Sequence, residues 1–216
     1  METDPRLYPY EDAELMAKAK VYRSITEDNL TEFEGYDPDL NTDFLNEWEA
    51  TIEAAYDIPT DETTMDIMEQ FTKKVDQHHE DCMVAMRDLR YYAAKAFKKN
   101  SSEWAYLNFN GLKKARPSAS RTVVYMLSVH RVASELSALL QAKGMLAAQI
   151  DALSLTAQAL LVADTDQEHH KHYRLMLTRK RVETLNHLWS FSQQVNKASK
   201  SVFRDDYAKY HMFELS

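Results

Sequence analysis

The chain has 216 residues with only 3 Gly, 5 Pro and 1 Cys, and its 34 Asp and Glu outnumber 26 Lys and Arg for a net charge of −8. So few Gly and Pro, beside abundant Ala, Leu, Met, Glu, Lys and Gln, exclude a strand-rich or loop-rich fold and favour helix almost throughout. A single Cys excludes an internal disulfide, and the acidic balance argues against a dedicated nucleic-acid binder.

The charge is uneven. Residues 1–66 hold 19 acids and 4 bases, a balance of −15, whereas residues 67–216 hold 15 acids and 22 bases, a balance of +7. The acidic part also carries core-type residues, so the split reads as an acidic segment lying on its own basic body. Met1-Glu2-Thr3-Asp4-Pro5 has no apolar run behind it. A signal peptide is therefore not expected, and the lone thiol fits a reducing, cytoplasmic setting. The most apolar window, 145–163, contains Gln149, Asp151 and Gln158, which a membrane span would leave against lipid. The chain reads as soluble, with no transmembrane segment.

In chain order, residues 1–10 form a lead-in with Leu7, Tyr8 and Tyr10. Over 11–34, Leu15, Met16, Ala19, Tyr22, Ile25 and Leu30 recur at helical spacing. Gly35 to Asp39 carries turn chemistry, and Asn41, Thr42 or Asp43 caps a second piece, 43–57, with Phe44, Leu45, Trp48, Ile52 and Ala55 on one face. That piece stops before Pro59, because the residue preceding a proline disfavours the helical region.

The clearest pattern runs from 61 to 99. Met68, Phe71, Val75, His78, Cys82, Ala85, Leu89, Tyr92 and Ala96 recur at alternating three- and four-residue steps, one stripe on one side of a helix about 60 Å long. Pro117 suits a first helical position, and from Tyr125 a heptad follows: Val129, Val132, Leu136, Leu139, Lys143, Leu146, Ile150, Leu153, Ala157, Leu160. The period passes Gly144 in phase, so one helix is expected over 118–163 with a bend at Gly144. Thr165 and Glu168 form a capping-box pattern that opens a last helix, 166–207, with Leu175, Val182, Leu185, Trp189 and Val195 on its buried side. The expected fold is all-α: an elongated up-and-down antiparallel four-helix bundle. Three long helices (61–99, 118–163, 166–207) join a split N-terminal column (11–34 and 43–57) in a single domain over 1–216.

Two groups of residues invite a chemical reading. His78, His79 and Cys82 have metal-ligand spacings on one helix. Levels counted from the expected turns place Leu139, Ala138, Ser190 and Phe191 opposite them, which complete a core and not a site. They are weak metal candidates, and no metal or cofactor is expected. The second group lies in 101–117. Trp104, Tyr106 and Phe109 alternate with amides and precede Lys113, Lys114 and Arg116, with Lys95, Lys98 and Lys99 upstream. Aromatics beside cations can stack a base, a sugar or a peptide side chain. The simpler reading is a plug that closes the end of the bundle. The basic run Arg174 to Arg181 falls near Asp61 and Glu62, where local neutralisation accounts for it.

No Gly-rich loop, serine elbow or Glu-x-x-His pair is present, so an enzyme is not favoured. The expected function is a non-catalytic helical module for structure or protein interaction, with a protein partner or self-association and no nucleic acid. One alternative is a ligand-binding or sensor bundle using the 101–117 turn. Another is a membrane-active elongated helical protein, suggested by the 145–163 window.

Overall fold

Side-chain caps begin several of the helices. Asn41 accepts from the amides of Asp43 and Phe44, Ser101 from that of Trp104, and Ser118 from that of Arg121. The structure is a computed structural model that describes residues 5–214, and within them it is all-α, without a strand. The start of the expected 1–10 lead-in lies outside the described residues. The helices are α1 (Asp12–Asp28), α2 (Leu30–Tyr36), α3 (Thr42–Tyr56), α4 (Asp61–Ala96), α5 (Ser102–Tyr106), α6 (Leu112–Ala115), α7 (Ala119–Glu135), α8 (Ser137–Gln141), α9 (Ala147–Val202) and α10 (Tyr207–His211). A 3₁₀ turn, Phe109–Gly111, precedes α6. The chain separates into two compact units. One is Glu62–Tyr173; the other joins the chain up to Asp61 with the chain from Arg174 onward.

In the Glu62–Tyr173 unit, α4 buries Cys82, Ala85 and Leu89 of the expected stripe, joined by Met83, Met86 and Ala93. They meet Met126, Val129 and Ala133 of α7 and Leu153, Ala157 and Leu160 of α9. The Gln149 amide reaches Asp88 and that of Gln167 reaches Thr72, so α4 and α9 run antiparallel here. Helix α4 ends at Ala96, three residues before the expected 99, and Phe97 packs against the core.

Two expected elements are corrected. The helix over 118–163 is interrupted: α7 ends at Glu135, α8 at Gln141, and the chain reverses before α9. Gly144 sits at φ +95°, its N–H bonds the Gln141 carbonyl at 2.9 Å, and the Met145 N–H bonds the Leu140 carbonyl at 3.3 Å. These are the two bonds of a Schellman ending, and its usual apolar contact is present in buried Leu140 and Met145. Gln149 then accepts from the Leu146 N–H at 2.9 Å, half of a capping box that opens α9. The heptad phase across Gly144 is a coincidence of spacing; Leu139, a supposed seam residue, is 52% exposed.

The break expected at Asp164–Glu168 is absent, because α9 runs through it. Thr165 does not cap forward. Its hydroxyl donates back to the Leu161 carbonyl at 2.8 Å, the helix-interior use of the same side chain. At the other end, α9 stops at Val202 rather than near 207.

In the second unit, aromatic packing forms the core. Trp48 stacks on Phe191, with ring centroids 5.6 Å apart, and Phe33 meets Phe203 and Phe213 edge-on. The expected 11–34 column is two helices, hinged at buried Asn29, whose amide donates to the Ile25 carbonyl. The acidic segment is met by cations of its own unit: Arg181 pairs with Asp61 at 2.8 Å and bonds the Pro59 carbonyl, and Lys209 pairs with Glu32. A surface pair such as Lys209 with Glu32 is worth about 0–1 kcal/mol, so the aromatic burial carries more of the stability.

No helix among the described residues is long and apolar enough to cross a membrane. A Cβ at Gly144 meets nothing closer than a Tyr92 ring carbon at 3.8 Å, so the cost of substitution is backbone strain alone. Gly144→Ala is expected to lose about 1 kcal/mol in urea unfolding, and Gly144→Asn less, since Asn tolerates the left-handed region. Gly35→Ala, in α2 with open space around it, is expected not to lower the midpoint.

Candidate functional site

The segment after α4 folds back on that helix, and three bonds hold it there. Asn108 adopts φ +45°, and its carbonyl accepts from the Tyr125 hydroxyl at 3.1 Å. Gly111 follows so closely that a Cβ there would stand 2.7 Å from Asn108 Nδ2 and 3.0 Å from Tyr125 Cε2. At the other end, His79 Nε2 lies 3.0 Å from the Arg116 carbonyl and Thr122 Oγ1 3.3 Å from the Ala115 carbonyl. Leu107 and Ala115 point inward and are buried in the core of the Glu62–Tyr173 unit, whereas Tyr106 is exposed.

The outer face of the segment forms a cleft with α4. An open hollow of about 810 Å³ is lined by Phe109, Lys113, Arg116 and Arg90, and it adjoins a deeper one of about 190 Å³ between Met83, Met86 and Leu112. Arg90, Phe109, Leu112 and Arg116 line both. The Arg90 guanidinium stands 5.9 Å from the Phe109 ring centre, and the Trp104 ring lies tilted against the same ring, centroids 4.7 Å apart. Glu80 also lines the deeper hollow and is held by Arg87 at 2.7 Å.

Of the six residues singled out in 101–117, Phe109, Lys113 and Arg116 line the cleft. Trp104 packs against the Phe109 ring, while Tyr106, 69% exposed, and Lys114 do not line it. The α4 half escapes a reading of the turn alone. Met83, Met86 and Arg90 repeat at three- and four-residue steps one position after the chosen stripe, with Arg87 beside them, and that repeat was the available signal.

Residues 87–121 contain nine cations and two acids, a local balance of +7. Among the described residues, only Arg87 of those nine forms an ion pair with a carboxylate. Lys95 instead lies over the Tyr91 ring at 4.4 Å. Burial pushes the Tyr125 phenol up to about 12, and nearby Arg90 opposes the shift.

The weak metal candidates do not converge. A carbonyl can only accept, so His79 Nε2 carries the proton and is spent on Arg116. His78 Nδ1 lies 3.4 Å from Asp81. Cys82 is fully buried, and burial pushes its thiol up, partly offset by a hydrogen bond with Thr156. Among the described residues, no three His, Cys, Asp or Glu side chains gather where they could hold a metal ion. The residues expected opposite them are elsewhere, since Phe191 packs in the other unit's core.

No protein-family model, curated protein or solved structure matches the chain.

Tyr125→Phe is expected to cost about 1 kcal/mol by removing the bond to Asn108. The folded state holds the Tyr125 proton beyond the ordinary value of 10.0, so that contribution is complete below pH 10 and is lost as pH rises toward about 12. Urea midpoints on either side of that window should converge for wild type and Tyr125→Phe as the pH rises. Cys82 is expected to react with a thiol reagent such as dithionitrobenzoate only after urea unfolding; a stoichiometric reaction of the native chain would contradict its burial.

Proposed function

We propose that this chain is a non-catalytic helical module that works by binding another protein, through the cationic end of its Glu62–Tyr173 unit. The observation that supports this most is the run 87–121, whose cations stand largely without carboxylate partners beside an apolar cleft. A folded chain gains nothing for itself by gathering like charges, whereas an anionic surface arriving there is steered in and held. The cleft supplies attraction and shape. It brings together no nucleophile with a base, and its one carboxylate, Glu80, is engaged by Arg87.

Capture experiments with the full chain test the reading. Proteins retained by the wild type from an extract of the cells that make it should fall at least tenfold with Lys98→Glu, Lys99→Glu and Lys114→Glu combined. Lys171→Glu, Lys180→Glu and Lys200→Glu combined, a matched change of charge elsewhere, should retain them. Equal retention by both variants would sink the assignment to this end.

A further inference from the structure

We propose that the cleft between α4 and the 109–117 turn takes an acidic peptide segment of a partner protein, one with a large apolar side chain between its carboxylates. The proposal rests on the binding-module reading above and names its partner's chemistry.

Charge decides the first half. Arg90, Lys113 and Arg116 rim the open hollow, and among the described residues none of them pairs with a carboxylate. Guanidinium groups bind carboxylates through two parallel hydrogen bonds, so Arg90 and Arg116 can each fix one acidic side chain. Glu80 does not already neutralise them, because Arg87 holds it.

The floor decides the second half. Below the rim lie Phe109, Leu112 and Met86, an apolar surface that a bare anion leaves wet. An apolar side chain entering the deeper hollow removes that surface from water, and Met side chains adapt to differing shapes. A nucleic acid would need free ring faces for stacking. The cleft is lined by a single aromatic ring, Phe109, so successive bases would find no second platform. The wall is also preset: Asn108, Gly111 and Tyr125 hold the turn in place before any ligand arrives, so little ordering is lost on binding.

A phage-displayed library of random 16-residue peptides panned against the full chain tests this. The selected sequences should be rich in Asp and Glu around Leu, Phe or Trp. Synthetic versions should bind at least tenfold more weakly to Arg90→Glu with Arg116→Glu, and several-fold more weakly to Arg90→Gln with Arg116→Gln. They should keep their affinity for Lys171→Glu, with circular dichroism showing each variant folded. Raising salt from about 50 to 300 mM should weaken binding several-fold. Selected peptides without acidic bias, or with unchanged affinity for the Arg90 and Arg116 variants, overturn the proposal while leaving a binding module standing. Tight binding of an oligothymidine in place of acidic peptides also overturns it. So does a wild-type dimer in light scattering that the same variants abolish, since the occupant would then be a second copy. If the wild type selects no peptide at all, this proposal falls, while the module reading is decided by the capture experiment with Lys98, Lys99 and Lys114.

Discussion

The turn at Leu140, Gly144 and Met145 sets the register of everything that packs in the Glu62–Tyr173 unit. Two backbone bonds and the burial of Leu140 with Met145 end α8 there, and the Gln149 side chain, accepting from the Leu146 N–H, opens α9. With the reversal at that point, Gln149 meets Asp88, Thr156 meets Cys82 and Gln167 meets Thr72. Moving the turn would slide α9 along α4 and put different side chains against the stripe. One glycine in the left-handed region thus selects which residues share a core.

The cleft follows from that register at one remove. Helix α7 presents Tyr125 and Thr122 to the returning segment because Met126 and Val129 on the same helix face the core. His79 on α4 fastens the far end through the Arg116 carbonyl. The segment therefore does two jobs with opposite faces: Leu107 and Ala115 close the core, while Phe109, Lys113 and Arg116 look out over α4. The left-handed backbone at Asn108 is a local cost of holding that wall, of order 1 kcal/mol, and the Tyr125 hydroxyl's bond offsets it.

Much of the local structure was legible in the residues. The α4 stripe, the cap at Asn41 and the stop before Pro59 follow from short-range rules whose physics lies within a few residues, whereas Pro117, expected at the first helical position, lies just outside α7, which Ser118 caps. The 109–116 side of the cleft was legible because its aromatics and cations are contiguous. Its α4 side was not, since Arg87 and Arg90 look like solvated charges until something folds over them. Gly144 and Thr165 misled for a shared reason: each residue has two local solutions of similar energy. A glycine can sit in a helix at about 1 kcal/mol or end one, and a threonine can cap forward or bond back.

By itself, then, the sequence determined the helical class, the buried face of α4 and the excess of cations in 87–121, because composition and periodicity act through the chain's own neighbours. Tertiary structure alone decided where the chain reverses, that α9 continues through Asp164–Glu168, and which cations stand around one cleft. Those choices depend on apolar area buried between distant segments, such as Leu140 with Met145 and Leu153 with α4. Burial of this size outweighs the small local differences that a sequence displays.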